Sequence, residues 1–199
     1  MEPEAKKRAL IVVDVQNDFC PGGSLAVAQG DEVVPPLNKL IKEFLERGEA
    51  VFKSRDWHPA TTKHFADFGG TWPVHCVQNT KGAEFHPDLL DNIHIRTIST
   101  GVGDEDGYSA FDGTDLSLQL RRLGVTEIWV GGLATDYCVK HTVLDGLREG
   151  FAVKALEDAM RPVELQPEDG LRALEEMRAA GAEIIRSQEQ TAGAGGGKH

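Results

Sequence analysis

Short apolar runs alternate along this chain with segments in which apolar residues recur at helical spacing. Residues 9–13, Ala-Leu-Ile-Val-Val, form a continuous apolar run, which is typical of a strand buried on both faces of a parallel sheet. Residues 33–47 instead place apolar side chains three and four positions apart, and their two prolines are tolerated in the first turn of a helix. We therefore expect a strand, a loop rich in Gly and Pro, and a helix in this order.

The same alternation continues after residue 47. Residues 57–90 are the exception, because they show no sustained period and are rich in Gly, Pro, His and Trp. A loop of this length inside a domain is usually functional. Outside it we expect strands at residues 50–56, 93–99, 127–132, 151–156 and 182–186, and helices at residues 116–123, 137–148 and 168–180.

Alternating strands and helices are typical of βαβ units. The sequence therefore predicts an α/β fold, a single doubly wound α/β/α sandwich with a mostly parallel central sheet. The domain is expected to span residues 1–190. Residues 191–199 are rich in Gly and are expected to form a disordered tail.

The charge balance narrows the class of partner. The 199 residues include 32 acidic and 21 basic side chains, and the formal net charge is −11 at pH 7. This is unfavourable for binding nucleic acid or an anionic membrane, since basic residues supply most of that affinity. No apolar run approaches the roughly 18–20 residues that cross a bilayer, and Asp14 in the first apolar stretch argues against an export signal. We expect a cytoplasmic protein with no nucleic-acid or membrane partner.

Four chemically active segments follow predicted strands. They are Asp14, the segment 56–58, Thr100 and Cys138. In open parallel sheets, ligands bind beyond the carboxyl ends of the strands. We therefore expect these segments to form one site.

Cys138 is the candidate nucleophile. It lies in the first turn of a predicted helix, for which Thr135 or Asp136 would be a suitable N-cap. The helix dipole and free N–H groups there favour a thiolate and can stabilise an oxyanion. The alternative is a small buried cysteine of the core, and Cys20 and Cys76 fit that alternative better.

Asp14 is the candidate base. It ends an apolar strand, so its carboxylate is expected at a half-buried edge, where a raised pKa would allow it to accept a proton from a nearby thiol. The alternative is a carboxylate that caps a loop through backbone N–H groups.

Residues 56–75 contain a candidate metal site. Asp56 and His58 are two positions apart, so in extended backbone both side chains leave the same face. His64 and His75 follow, and a carboxylate with imidazoles suits Zn, Fe or Mn. The spacing is not a metal signature by itself, and surface histidines are the alternative.

Three aromatic residues, Phe19, Trp72 and Tyr108, lie in the loops around these positions. They could wall a pocket for a flat ligand by stacking. The alternative for each is ordinary anchoring of its loop into the core.

A distinctive sequence pattern extends over residues 14–25, 56–59, 72–77, 82–86, 108–111 and 132–139. In these blocks the chain resembles the nicotinamidase/pyrazinamidase family of the isochorismatase-like hydrolases. The resemblance extends over residues 9–186 and implies the isochorismatase-like hydrolase fold. It also implies hydrolysis of nicotinamide, and possible hydrolysis of pyrazinamide, in NAD salvage, by a chain that can form a homo-oligomer.

The resemblance implies a role for each candidate residue. Cys138 would attack the amide carbon and form a thioester, while Asp14 would move the proton and later activate water. The backbone N–H groups of Ala134 and Cys138 would form the oxyanion hole, with a cis peptide just before Thr135. The residues implied to bind one divalent metal ion (Zn, Fe or Mn) are Asp56, His58, His64 and His75, and those implied to bind the ring are Phe19, Trp72 and Tyr108.

One position departs from the family pattern. Thr100 stands where the family has a catalytic Lys after the third strand. That Lys places a positive charge beside the Asp and the Cys, which lowers both pKa values, and Thr cannot supply it. The alternatives are therefore a nicotinamidase of impaired activity, a catalytically silent binding protein, and a related amidase of altered specificity that acts on a carbamoyl or ureido substrate.

Overall fold

The fold is built on a six-stranded sheet, seen in a computed structural model that describes residues 7–103 and 107–187. Every pair of neighbouring strands is parallel. The strands are β1 (Arg8–Val13), β2 (Ala50–Asp56), β3 (Arg96–Thr100), β4 (Glu127–Leu133), β5 (Ala152–Arg161) and β6 (Glu183–Ile185). They lie in the order β3-β2-β1-β4-β5-β6.

Helices cover both faces of this sheet. In the described part of the chain the α-helices are α1 (Val34–Glu46), α2 (Leu116–Arg122), α3 (Lys140–Arg148) and α4 (Asp169–Ala180). Leu37 and Phe44 of α1 pack in the apolar cluster that contains Leu10, whereas α2, α3 and α4 pack in a second cluster with Ile11. The predicted α/β/α sandwich is confirmed, and among the α-helices of the described residues α1 alone packs on its face of the sheet.

β1 is the centre of the core. It lies between β2 and β4, and residues 9–13 are completely buried. Alternate side chains of a strand point to opposite faces, so both helical layers pack against it. Complete burial of each Val, Leu or Ile side chain contributes about 1.5–3 kcal/mol. The continuous apolar run therefore forms the strand that the sequence predicts.

Two strand boundaries differ from the prediction. β3 begins at Arg96 rather than at residue 93, because Ile93 is 94% exposed and lies outside the sheet. β5 continues to Arg161 rather than ending at residue 156. After a shift in register it pairs again with β4, placing Met160 opposite Gly132. Acidic residues at 157 and 158 interrupt the apolar run there, so the sequence pattern hides the second half of β5.

The connection from β2 to β3 contains no α-helix, as the irregular sequence of residues 57–90 predicts. It includes short 3-10 turns at Ala66–Phe68 and Lys81–Ala83. The expected tail at residues 191–199 lies outside the described residues, and the expected extent of the domain stays a prediction. None of the helices in the described ranges is both long and apolar enough to cross a membrane.

Candidate active site

The carboxyl ends of β1 and β4 lie side by side where the strand order reverses. Such a reversal leaves a crevice in a doubly wound sheet. Gly132 lies opposite Val13, and a Cβ on Gly132 would be 2.1 Å from the Val13 carbonyl oxygen, so only glycine permits this approach. Asp14 follows β1 and Cys138 follows β4 by a short turn. Both candidate catalytic residues therefore reach the crevice.

Asp14 and Cys138 are hydrogen-bonded. The Cys138 thiol donates to the Asp14 carboxylate. Asp14 is 2% exposed and Cys138 is 6% exposed. The Ser54 hydroxyl also donates to Asp14 Oδ1 over 2.6 Å. Asp14 has φ of 49°, in the left-handed region that non-glycine residues rarely adopt. The Asp14 carboxylate accepts hydrogen bonds from two side chains, Ser54 and Cys138. The alternative from the sequence is a carboxylate that caps backbone N–H groups, and these side-chain contacts favour the role of a base instead.

The surroundings of this pair favour its neutral forms. Burial raises the pKa of the Asp14 carboxyl well above its ordinary value, and the nearby Asp56 carboxylate raises it further. Burial also raises the pKa of the Cys138 thiol, together with the charges of Asp14 and Asp56. Burial and the two carboxylates therefore act against the thiolate that the helix terminus is expected to favour.

The predicted N-cap before Cys138 is also wrong. The helical turn Thr135–Val139 begins after Ala134, and no side chain caps it. The Thr135 hydroxyl is buried without a hydrogen-bond partner. The Asp136 carboxylate instead accepts two backbone N–H groups of the loop after β5, at 2.8 and 3.0 Å. Asp136 therefore holds that loop beside the turn.

Ala134 and Cys138, whose N–H groups the resemblance implies for an oxyanion hole, both line one pocket. The Ala134 carbonyl accepts the N–H groups of Tyr137 and Val139, both at 3.1 Å. The cis peptide bond joins Leu133 and Ala134, one residue before the implied position.

Three buried imidazoles converge at the second part of the site. Ring nitrogens of His58, His64 and His75 lie within 4.8 Å of one another. Nδ1 of His58 faces the Gly101 carbonyl at 3.2 Å, and Nδ1 of His75 faces the Pro73 carbonyl at 2.7 Å. These contacts favour a proton on Nδ1 and leave the Nε2 lone pair of both rings for another partner.

Asp56 completes this cluster. Its Oδ2 lies 3.4 Å from Nε2 of His58 and 3.7 Å from Nε2 of His75. Burial by itself would raise the pKa of Asp56, but the contacts with the two histidines outweigh it and hold the pKa well below its usual range. His58 Nε2 is buried without a hydrogen-bond partner. An orphaned imidazole nitrogen among a carboxylate and two imidazoles fits a divalent metal ion such as Zn, Fe or Mn.

An apolar pocket lies beside Cys138 and the imidazoles. It encloses about 370 Å³, including its mouth. Trp72 Nε1 donates to the Tyr108 hydroxyl over 2.9 Å, and Tyr137 lies edge-on to Trp72 with ring centroids 4.9 Å apart. The structure brings Phe19, Trp72 and Tyr108 to this pocket, together with Leu25, Asp56, His64, His75, Ala134, Tyr137, Cys138 and Val163.

Residues 8–189 match the family model described as the isochorismatase domain. The chain is 43% identical over 210 residues to the nicotinamidase of Escherichia coli, covering 94% of this chain and 99% of that protein. The chain belongs to the nicotinamidase/pyrazinamidase family of the isochorismatase-like hydrolases. The predicted type of enzyme, an amidohydrolase that acts on a carboxamide C–N bond, is confirmed by this relationship.

Solved structures of related proteins agree with this assignment to the nicotinamidase family. The pyrazinamidase of Pyrococcus horikoshii, in complex with zinc, is 46% identical with a TM-score of 0.86, covering 90% of this chain and 99% of that chain. PnC1 from L. infantum, in complex with nicotinate, is 33% identical with a TM-score of 0.85, covering 93% of this chain and 95% of that chain.

Thr100, the position at which the resemblance implies a Lys, lies beside the candidate metal site. It ends β3 opposite Asp56, and its hydroxyl lies 3.2 Å from both Asp56 Oδ1 and the Arg55 carbonyl. Among the residues that the structure describes, no Lys or Arg lines the pocket. Within the described ranges, the site therefore contains the expected acid and thiol without a Lys or Arg in the pocket lining.

Sequence reasoning missed three residues of this nicotinamidase-type site. Ser54 precedes Asp56 by two positions and therefore shares its strand face, which was an available signal. Gln16 donates to the Asp56 carbonyl and accepts its N–H, both at 2.8 Å, which no local pattern indicates. Tyr137 precedes Cys138 and lines the pocket.

Proposed function

We propose that the chain hydrolyses nicotinamide to nicotinate and ammonia through a thioester on Cys138, and that pyrazinamide is a second substrate. The observation that carries this proposal is the hydrogen-bonded pair of Cys138 and Asp14 at an aromatic pocket beside three converging imidazoles. The nicotinamidase and pyrazinamidase relatives support the choice of substrate.

The first half of the reaction forms the thioester. Asp14 accepts the thiol proton as Sγ of Cys138 attacks the carboxamide carbon. The negative charge on the carbonyl oxygen is stabilised by the N–H groups of Ala134 and Cys138. The C–N bond then breaks, and Asp14 donates its proton to the leaving ammonia.

The second half releases nicotinate. Asp14, again ionised, accepts a proton from water, whose oxygen attacks the thioester carbon. The C–S bond breaks, and Asp14 returns the proton to the sulfur. The nicotinic acid then ionises to nicotinate, its proton passes to solvent, and Cys138 is free again. The Ser54 hydroxyl, 2.6 Å from Asp14 Oδ1, keeps the carboxylate oriented in both halves.

The pocket side chains orient the substrate. Phe19, Trp72 and Tyr108 bind the pyridine ring through its faces and edges, and the Trp72–Tyr108 hydrogen bond keeps two of these rings in place. A divalent ion held by Asp56, His58, His64 and His75 would supply a Lewis acid for the pyridine nitrogen. Zinc, as in the P. horikoshii relative, is one such ion.

The cytoplasmic location, the role in NAD salvage and the homo-oligomer remain expectations from the sequence and from the resemblance. They form part of the proposal, and the proposed reaction does not depend on them.

A second candidate function is ligand binding without turnover. It is favoured by the absence of a Lys or Arg from the pocket lining in residues 7–103 and 107–187, since Thr100 supplies no charge to Asp14 and Cys138. A nicotinamidase of reduced rate and a silent binding protein predict the same contacts but different turnover. A related amidase for a carbamoyl or ureido substrate would differ in needing no metal at the histidines.

The test is ammonia release from nicotinamide by the chain and by Thr100→Lys, each with added Mn, Fe or Zn. Slow release by the chain and faster release by Thr100→Lys supports the proposal. No release by either protein with any metal overturns it. Tight nicotinamide binding in that case would assign the silent function, and turnover of a carbamoyl substrate without metal would assign the other amidase.

A further inference from the structure

A second group of metal-binding side chains adjoins the histidines. Asp14, Asp56 and Cys138 each offer one ligand atom, and these three atoms lie within 4.8 Å of one another. The residues are only 2%, 5% and 6% exposed. A group that is this buried differs from the clusters of exposed carboxylates that occur commonly at protein surfaces.

His58 and His75 face Oδ2 of Asp56, but no Lys or Arg of the described residues lines the pocket beside Asp14 and Cys138. The two basic residues of β2 are occupied elsewhere: Lys53 binds Asp91 over 2.7 Å, and Arg55 donates to Ser99 Oγ over 2.9 Å. Thr100 stands where the resemblance implies a Lys, and its hydroxyl oxygen lies 3.2 Å from two acceptors that compete for its one proton. Buried carboxylates are normally paired with a cation or bind a metal.

The geometry of Asp56 allows one carboxylate to serve two sites. Its Oδ2 faces Nε2 of His58 and Nε2 of His75, whereas its Oδ1 accepts from Thr100. The orphaned Nε2 of His58 faces Oδ2 and belongs to the histidine site. Because Oδ1 shares the single Thr100 hydroxyl proton with the Arg55 carbonyl, this oxygen has lone pairs left for a cation that also contacts Asp14 and Cys138.

The donor atoms are suited to zinc. Zinc binds thiolate sulfur at about 2.3 Å and carboxylate oxygen at about 2.0–2.2 Å in tetrahedral sites, which places ligand atoms about 3.4–3.6 Å apart. The three atoms here would have to approach by only about 1 Å from their upper limit of 4.8 Å. A thiolate in the set selects a soft divalent ion over magnesium or calcium.

We propose that Asp14, Asp56 and Cys138 form a second site for Zn²⁺ or another soft divalent ion, beside the histidine site and sharing Asp56 with it. Binding displaces the thiol proton to solvent, because the thiolate is the ligand. The bound sulfur cannot attack an amide, so occupation of this site inhibits. The inhibition rests on the proposed function, whereas the binding does not.

The test measures binding of Cd²⁺ to the metal-free protein by equilibrium dialysis and by the ultraviolet absorption of the cadmium–thiolate bond. The chain is expected to bind about two equivalents and to show this absorption. Cys138→Ser is close to isosteric, and Thr100→Lys places an ammonium beside Asp56. Each variant should bind one equivalent of Cd²⁺ and lose the thiolate absorption. The double variant His58→Ala/His75→Ala should bind one equivalent of Cd²⁺ fewer than the unmodified chain and should keep the cadmium–thiolate absorption.

Cys20→Ser is the matched control, since Cys20 is buried outside the cluster and its loss should leave both equivalents and the absorption intact. One equivalent without thiolate absorption in the unmodified chain overturns the second site. Absorption that persists unchanged in Cys138→Ser also overturns it, because another thiol is then the ligand. Neither result depends on ammonia release, so failure of the second site and failure of the proposed reaction are separate outcomes.

Discussion

The hydroxyl of Thr100 lies 3.2 Å from Oδ1 of Asp56, where β3 and β2 end side by side. This contact joins the candidate metal site to the position at which the resemblance implies a Lys. A hydroxyl can orient the Asp56 carboxylate through a hydrogen bond but cannot offset its charge. The charge of Asp56 therefore acts on Asp14 and Cys138, and it contributes to the raised pKa of both groups.

Thr100→Lys should raise the rate of ammonia release. An opposite charge near an acid lowers its pKa by about 1–3 units, so the thiolate population at neutral pH should rise by about 10-fold or more. The measurement is kcat for nicotinamide in parallel with the unmodified chain. Thr100→Val is the control, because it keeps the shape of Thr and adds no charge, and it should not raise kcat. An equal gain in both variants would contradict the role of charge.

Gln16→Ala should weaken metal binding at the histidine site. The Gln16 amide makes two hydrogen bonds of 2.8 Å to the backbone of Asp56, and the side chain is completely buried. Loss of such supporting contacts typically reduces metal affinity by about 10- to 100-fold. The measurement is the Kd for Mn²⁺. This ion prefers oxygen ligands and binds thiolates weakly, so it reports on the histidine site rather than on Cys138.

Gln119→Ala is the control for that experiment, because Gln119 is on the surface of α2 and its side chain bonds to Asp115 of the preceding turn. It should leave the Kd unchanged. An unchanged Kd in Gln16→Ala, with the fold intact by circular dichroism, would show that Asp56 needs no support from Gln16.

Asp136→Ala should raise KM more than it lowers kcat. The carboxylate accepts the N–H groups of Val163 and Glu164, and Val163 lines the pocket. Hydrogen bonds to a charged group are worth about 1.5–3 kcal/mol each, so the loop should loosen without displacing Cys138. We expect KM to rise by about 10-fold, measured by steady-state ammonia release.

Asp158→Ala is a matched control for Asp136→Ala. Asp158 also accepts a backbone N–H from a distant loop, that of Ser187, but it does not line the substrate pocket. It should lower the melting temperature to a similar extent and leave KM unchanged. A similar rise of KM in both variants would mean that general destabilisation, rather than the position of Val163, is responsible.

The features that the sequence predicts correctly are those set by local pattern. The continuous apolar run of residues 9–13 is typical of a strand covered on both faces, and a residue directly after such a strand, like Asp14, is expected at the ligand-binding edge. The meeting of Asp14 and Cys138 follows, since β1 and β4 are neighbours in the sheet.

The features that the sequence does not reveal depend on partners far away in the chain. The sequence predicts Thr135 or Asp136 as the helix cap, but the backbone N–H groups that bind the Asp136 carboxylate are 27 and 28 residues distant. Gln16 finds Asp56 across 40 residues. The direction of the Cys138 pKa shift also required the fold, because burial and two carboxylates act on the thiol only after the strands have assembled.

The reactivity of Cys138 toward iodoacetamide should depend on pH in a defined direction. Alkylation requires the thiolate, and burial together with Asp14 and Asp56 raises the pKa of this thiol above its ordinary value. In the metal-free chain the rate should therefore be low at neutral pH and increase with pH through and beyond the range of an ordinary cysteine. Thr100→Lys should shift this profile to lower pH, because the ammonium favours the thiolate.

Peptide mapping separates Cys138 from the other thiols in that experiment. Burial, together with Asp31, raises the pKa of Cys20 to about 11, so Cys20 should label only in strongly alkaline solution and its profile should be the same in Thr100→Lys. Complete labelling of Cys138 in the unmodified, metal-free chain at neutral pH would contradict the raised pKa. It would also mean that the thiol is activated without a Lys at position 100, and full activity would then be expected from the unmodified chain.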